Sequence, residues 1–597
     1  MSLLQNNKPS RMEGHTPFLR LAGLAALLLA SAMLMFSCTG GTEGGNTSDS
    51  TDAVTDAPVN FPDLWDENGV NFRIVRPDEC TKAEKEAAMK IRDLLSAFSG
   101  KTPEITTDFL IPGEEYDSES FDILIGQTSY PESQQVMSES AGYDKYLVKT
   151  VGHKIVVFGW SDVSMGLAAD SLGTVISGSN GKFPSGINVE ESSGSLLDGM
   201  PQYGSDGHTV IYSMGDREYQ SIIEKTTADE WRDYCKKLLG DGYELCSERE
   251  VNGNLFAQYL RSDVGIYTYF TPFNKTARII IGPASNFSAT SGDSTGGSTA
   301  KPVLTMIGRT FSQNSTFRGL PANSGLMCFT LRLEDGRFIV IDGGIAIDAF
   351  ADGIYNALVS QSADPNNIEI AAWIITHTHN DHTGGFIRFT DKYGSRVKID
   401  ELILNFPSDS TCREEKEDTN RKTTLNNFKR YYPSGKLTKV HSGELRNIGG
   451  AEIEFLYTQE DYYTSSRTFD DTPYWNNTSM IFSVTIAGQK IMFLGDSQVD
   501  SNGIAVRMYG SHLKSDICQV AHHGGEGGTA GLYTAIDPDV ALFTTSDELF
   551  PLYLTDAHNA HLVKNLHVKE VINAANRITE FYLPYTVGTY KITDSGN

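Results

Sequence analysis

The segment Ala371–Phe386, AAWIITHTHNDHTGGF, constrains this chain more than any other. Its first five residues, Ala371 to Ile375, are an unbroken apolar run that reads as a strand buried on both faces. The run leads straight into His377, His379, Asp381 and His382. In extended backbone, side chains two positions apart face the same way, so His377 and His379 can hold one cation. Where the strand ends the chain can turn into a helix, and Asp381 and His382 at its start suit a second cation nearby. Imidazoles combined with carboxylates are a donor set for Zn²⁺. Taken alone, such a string also arises as a surface cluster of histidines, and the rest of the C-terminal half has to decide.

Three further segments end an apolar run in residues of the same chemistry. Arg337–Gly344 (RFIVIDGG) ends in Asp342, Lys490–Asp496 (KIMFLGD) ends in Asp496, and Ile517–Gly524 (ICQVAHHG) carries His522 and His523. With HxHxDH between DGG and the later GD and HHG, residues 303–590 resemble the metallo-β-lactamase superfamily. The resemblance implies a C-terminal αββα sandwich holding two zinc ions per chain. It assigns His377, His379 and His522 to one ion and Asp381 and His382 to the other, with Asp496 between them. Asp381 would also orient the attacking water, which makes Asp381 and Asp496 the catalytic pair. Neighbouring strand residues face opposite ways, so one of His522 and His523 is expected as the ligand. Relatives often place that ligand after a small residue, and Ala521 favours His522; His523 then supports a ligand or faces the substrate.

Many members of the superfamily carry another metal-binding histidine before the bridging aspartate. Here the interval holds only His441, in a strand–turn–strand context (LTKVHSGELRNIGG), and whether it supplies a ligand stays open. Asn476, Asn477 and Ser479 stand where a substrate contact can originate, or they cap a strand. His558 and His561, in DAHNAHL, share one helix face; they reach the pocket as a leaving-group acid or belong to a solvated helix. The strings SDICQVAHHGG and NNTSMIFSVTIAGQKIMFLGDS are most similar to the hydrolase domain of competence DNA-uptake channels. Cell-surface choline-phosphate esterases are another similar branch. The resemblance therefore implies hydrolysis of a phosphodiester, a phosphorylcholine-type ester, a lactone or a β-lactam.

The 597 residues carry a net charge of −27, which argues against an extended nucleic-acid surface and tilts the substrate toward a smaller phosphoester or a cell-envelope polymer. A chain this long exceeds one core. It is read as an α/β multidomain protein in which two smaller α+β domains precede the sandwich. Residues 60–195 alternate strand and helix, with a helical stripe over Ala83–Phe98 and a hairpin at Tyr146–Val151 and Lys154–Gly159. The order and the string GYDKYLVKTVGHKIVVFGWSDVSMGLAADSL resemble the non-catalytic N-terminal domain of hexosaminidase- and glucuronidase-type glycoside hydrolases, implying a packing or carbohydrate-associated module. Residues 204–283 form a second unit, with a helix over Ala228–Leu239 presenting Trp231, Tyr234, Leu238 and Leu239 on one side. Residues 284–302 are a linker by composition, and 303–597 form the hydrolase domain.

The first 60 residues read as an address. Lys8, Arg11 and Arg20 precede the apolar run Leu21–Phe36, about 16 residues long, too short for a membrane span and right for a signal-peptide core. Ser37-Cys38 after it resembles the bacterial lipobox, which implies a signal peptide over 1–37, lipid on Cys38, a Gly/Ser/Thr tether over 38–59 and attachment to the outer face of the bacterial cell membrane. Of the other cysteines, Cys235 and Cys246 can pair, but isolated buried thiols are expected. Two alternatives stand beside the enzyme: an envelope binding lipoprotein that keeps the fold without turnover, and, ranked last because no paired carboxylates form a recognisable motif, a glycan hydrolase.

Overall fold

The computed structural model describes residues 61–594, apart from 141, 184–185, 205–208, 288–299, 310–315, 318–319, 322–326, 415 and 469–474. The signal peptide, Cys38, the tether and most of the 284–302 linker lie outside the described residues. Among the described residues no helix is long and apolar enough to cross a membrane. Residues 59–597 form one packed unit built on four large sheets.

The C-terminal half is an αββα sandwich. Its first sheet runs in the order 436–439, 401–404, 368–374, 338–342, 328–332, 303–307, 578–582 and 591–594. Phe338–Asp342, Ile368–Ile374, Glu401–Leu404 and Lys436–Lys439 are parallel to one another, as is the short strand Val397–Ile399 that pairs with Ile368–Ile374, and the rest are antiparallel. The second sheet runs 445–448, 451–457, 481–486, 489–493, 517–519, 540–543 and 570–573, antiparallel up to 489–493 and parallel beyond it. Alternate residues of the two sheets meet in one apolar core that includes Phe329, Ile341, Ile374, Phe482 and Phe493. Helices Asp348–Gln361, Asn380–Tyr393 and Asp418–Tyr431 cover the first sheet, and Val499–Tyr509, Ala530–Ile536 and Ala557–Asn565 cover the second. The strands ending at Asp342, Ile374, Phe493 and Gln519 all deliver their C-terminal ends to one edge of the sandwich.

Residues 73–192 form a mixed six-stranded sheet, ordered 105–107, 73–76, 122–125, 154–159, 145–151 and 188–192, with helices Lys82–Ser99 and Asp162–Ser179. Both helices begin with a capping box, Thr81 with Glu84 and Ser161 with Ser164, which satisfies their first free amides. The hairpin and the helix Lys82–Ser99 agree with the sequence reading to within a few residues. The strand at Ile105–Thr107, the helix Pro131–Glu139 and the strand Asn188–Ser192 complete the sheet and its cover.

The middle sheet, ordered 244–251, 254–261, 264–271, 276–283, 218–223 and 209–215, is antiparallel throughout. One face packs on the helix Ala228–Gly240 through Trp231, Tyr234 and Leu238, whereas Leu239, expected on that side, is 50% exposed. The other face is not solvated. Val251, Phe256, Tyr267, Tyr269 and Ile280 join Leu456, Met492, Met508 and Tyr509 in a single apolar cluster, so this sheet and the second sheet of the sandwich share a core. Gly443 (φ +87) lies close against this sheet, because a Cβ there would sit 2.2 Å from the Phe256 ring. The six described cysteines are free thiols, so Cys235 and Cys246 do not pair; Cys80 and Cys246 are only half buried, against expectation.

The shared core makes a prediction. A fragment beginning at residue 301 loses the cover over Leu456, Met492 and Met508, and is expected to aggregate or to bind 8-anilinonaphthalene-1-sulfonate strongly. A fragment beginning at residue 60 is expected to stay soluble and dye-free, as size-exclusion chromatography and dye fluorescence will read.

Candidate metal centre

The site forms where backbone meets backbone. Gly385, early in the helix Asn380–Tyr393, lies so close to the loop after Asp342 that a Cβ on it would stand 1.7 Å from the Gly343 carbonyl oxygen. Its N–H donates to the Gly344 carbonyl at 2.7 Å. This contact sets the helix start, with Asp381 and His382, against the strand ends that carry Asp342 and His377. Asp342 is fully buried at φ +51, and its carboxylate accepts from the Thr376 N–H (2.8 Å), the Thr376 hydroxyl (2.9 Å) and His382 Nδ1 (2.7 Å).

Around this scaffold the ligand-type atoms fall into two groups that share Asp496: His377, His379 and Asp496 in one, and Asp381, His382, Asp496 and His523 in the other. Asp496 Oδ1 lies 3.1 Å from His382 Nε2 and 3.3 Å from His523 Nε2. Its Oδ2 lies 4.0 Å from His377 Nε2 and 3.9 Å from His522 Nε2. Asp381 Oδ2 stands 3.4 Å from His523 Nε2, and His377 Nε2 stands 3.0 Å from His379 Nδ1. Three of the other ring nitrogens are held from behind: His377 Nδ1 by the Thr376 hydroxyl (3.1 Å), His382 Nδ1 by Asp342 and His523 Nδ1 by the Thr544 hydroxyl (2.9 Å). Outer partners of this kind fix which nitrogen faces a metal. His382 Nε2, His523 Nε2 and Asp496 Oδ1 are shut away from solvent and make no hydrogen bond, although they converge on one another. Buried polar atoms left in that condition need an occupant, and a divalent cation fits the donor set.

Charge is unevenly distributed over the two groups. Burial, reinforced by the neighbouring imidazoles of His382 and His379, holds the His377 pKa well below its ordinary value, and burial lowers that of His379. These two rings are neutral and ready to donate lone pairs. For His382 burial is outweighed by the carboxylates of Asp496 and Asp342, which raise its pKa well above the ordinary value. Asp496 and Asp381 likewise outweigh burial at His523 and lift it to about 9. Despite burial, Asp496 is held well below the usual carboxylate range by His382, His523 and His522. Without metal, the second group is therefore a cluster of ion pairs.

The structure corrects two expectations about the last strand. It ends at Gln519, and residues 521–524 form a tight turn in which both His522 (φ +51) and His523 (φ +59) are left-handed. Strand alternation does not apply there. His523 is the buried member of the donor group, and His522 stands at the rim, 32% exposed, with Nε2 3.2 Å from Asn476 Nδ2. The final histidine also belongs with Asp381 and His382 rather than with His377 and His379.

His441 lies in neither group; its Nδ1 is 3.0 Å from Glu460 and its ring stacks on Tyr267 at the boundary with the middle sheet. His558 and His561 turn away as well, toward the Ala530 N–H and the Thr534 hydroxyl. Between them Asn559 supports the HHGG turn by donating to the Gly524 carbonyl at 2.7 Å. Asn477 accepts from the Ser501 N–H at the start of the helix behind Asp496, and the Ser479 hydroxyl accepts from the Asp496 N–H at 3.1 Å. Sequence reasoning missed Thr376, Thr544, Trp475 and Glu417. Trp475 Nε1 donates to the Thr378 hydroxyl (2.8 Å), and Glu417 Oε1 lies 4.0 Å from His379 Nε2.

Residues 318–419 match a family model described as the metallo-beta-lactamase superfamily, a stretch holding Asp342 and the HxHxDH string. No curated protein matches the chain. Solved structures similar to it include CmlA, a diiron β-hydroxylase from Streptomyces venezuelae, 14% identical over 46% of this chain and 53% of its own, with a TM-score of 0.26. Unliganded yeast PDE1 is 14% identical over 46% of this chain and 98% of its own, with a TM-score of 0.29. A flavo di-iron protein mutant from Thermotoga maritima is 18% identical over 41% and 47%, with a TM-score of 0.18. This chain spans about half the length of CmlA.

Two outcomes are expected. Asn tolerates the left-handed backbone at position 342, so Asp342→Asn removes the charge behind His382 with little strain. It should weaken metal binding by about 10–100-fold, read by competition with a chromogenic chelator. Metal must also displace protons from His382 and His523. Their pKa values are raised in the folded protein, so the ion pairs are intact below about 6.5 and the His523 pair is lost as pH rises through about 9. Apparent metal affinity at this group should accordingly tighten by up to about a hundredfold per pH unit between 7 and 9, about tenfold for each proton displaced, with proton release measurable by calorimetry in buffers of different ionisation enthalpy.

Proposed function

We propose that this protein, whose residues 318–419 match the metallo-beta-lactamase superfamily model, is a zinc-dependent hydrolase of a phosphoester or related ester, exported and anchored by lipid on Cys38. The observation that carries the reading is Asp496: one buried carboxylate offers each of its oxygens to a different set of imidazoles. His377, His379 and Asp496 would hold one ion, and Asp381, His382, His523 and Asp496 the other. Bound there, two zinc ions supply Lewis acidity and a water of lowered pKa.

The chain's own residues do the rest. Asp381 is one-third exposed at the helix start, so its carboxylate can accept a proton from an incoming water while His523 orients it. Asn476, 3.2 Å from His522, places an amide at the rim where a substrate oxygen would arrive. Trp475 donates to Thr378, between His377 and His379. The net charge of −27 favours a compact substrate over a long polyanion.

The test uses the protein from residue 39 onward with bis-p-nitrophenyl phosphate, p-nitrophenyl phosphorylcholine and nitrocefin, with zinc present. At least one phosphoester is expected to be cut, and Asp496→Asn to lower kcat/KM by about a thousandfold, the scale of several kcal/mol of lost transition-state stabilisation. Failure on all three substrates, or an equally active variant, overturns the reading. No zinc bound after zinc loading would instead support the binding lipoprotein. For the anchor, Cys38→Ala should release the protein into the medium.

A further inference from the structure

Resting on that reading, we propose that the middle sheet, Thr209–Pro283, is part of the active site's construction: it positions the segment that carries Trp475 and Asn476 over the metal ligands and thereby sets how substrate fits.

The wall of the site and the middle sheet meet directly. Trp475 bonds to Thr378, the residue between His377 and His379, and Asn476 reaches His522. Trp475 also belongs to an apolar cluster in which Val210, Tyr212 and Met214 of the middle sheet pack with Cys412 and Tyr463 of the sandwich domain. Residues 463–468, earlier in the same connection, lie outside helix and strand, so their backbone groups need partners from elsewhere. The middle sheet supplies them. The Arg278 guanidinium, 2% exposed, donates to the carbonyls of Asp461 (3.2 Å) and Tyr463 (2.9 Å). The Tyr212 hydroxyl donates to the carbonyls of Thr464 (2.9 Å) and Ser465 (3.0 Å). Gln220 donates to the Glu460 carbonyl (2.9 Å), and the Tyr269 hydroxyl to the Asp461 carboxylate (2.8 Å).

A second loop is gripped the same way. Arg421, at the start of the helix that follows Glu417, donates to Asp216 of the middle sheet at 2.8 Å. Glu417 stands 4.0 Å from His379. Both segments flanking the first donor group thus take their conformation from a unit that contributes no ligand. The middle sheet also binds the carbonyls of Ser442, Gly443 and Met508; what singles out the 460–465 stretch is Trp475 further along it, which packs on the same sheet and bonds to Thr378. Arg278, Tyr212 and Tyr269 are positioning residues: they act through Trp475 and Asn476 and touch no substrate.

The experiment uses Tyr212→Phe and Tyr269→Phe, each of which deletes one hydroxyl and keeps the ring in its cluster. Three quantities are read on the zinc-loaded protein: metal per chain, KM and kcat for bis-p-nitrophenyl phosphate, and acrylamide quenching of Trp475, obtained by difference from the same variants carrying Trp475→Phe. Unchanged metal content, KM raised by about tenfold with a smaller change in kcat, and at least about a twofold rise in Trp475 quenching are expected. Unaltered quenching in both variants overturns the proposal, as does loss of metal in step with activity, which would mark a general structural role. If the wild-type protein cuts no substrate, the hydrolase reading fails by itself, and the quenching measurement still decides whether the middle sheet positions Trp475.

Discussion

A carboxylate sealed from water has to be matched by positive charge, and in this protein Asp496 is that carboxylate. It is 1% exposed, its two oxygens face different imidazoles, and its pKa is held far down by the rings around it. Everything else at the sandwich edge serves this demand. Asp342 and Thr544 hold the backs of His382 and His523, the glycines at 343 and 385 let the helix start approach the strand ends, and Ser479 fixes the Asp496 backbone. Removing water from such a cluster costs more than one ion pair returns. A cation with strong preferences for nitrogen and oxygen resolves the cost that the protein alone leaves open.

Much of this was legible in the sequence because the informative residues end apolar runs. A strand that is buried on both faces and stops in a ligand-type residue fixes where that residue goes, which is how Asp342, His377 and Asp496 could be placed. The choice between His522 and His523 was not legible. The apolar run ICQVA outlasts the strand, and two consecutive left-handed residues turn the inward-facing side chain from one histidine to the next. Local strings carry no sign of Glu417, Trp475 or Thr544, since each reaches the site from a distant part of the chain.

The middle sheet was read as a separate unit, and its own sequence held the contrary signal. In Val264–Thr271, Ile266 and Phe270 face the helix while Tyr267 and Tyr269 face the sandwich domain, so both faces are apolar. A sheet with one solvated face alternates polar with apolar residues. Two apolar faces mean a partner on each side, and here one partner is the domain that carries the candidate metal centre. The N-terminal sheet, by contrast, reaches the rest mainly through the middle one, by Gln127 to the Thr209 carbonyl and by Asp162 accepting from the Ser213 N–H.

The contact between Gly343 and Gly385 is made of main chain on both sides. It offers no side chain for mutation to adjust, and any substituent larger than hydrogen forces the helix off the strand end. Drift among descendants of this chain is therefore channelled away from the geometry of the ligands and toward the rim, where Glu417, Trp475 and Asn476 belong to loops that can exchange residues. What meets the rim can wander over evolutionary time while the imidazoles and carboxylates beneath it stay frozen.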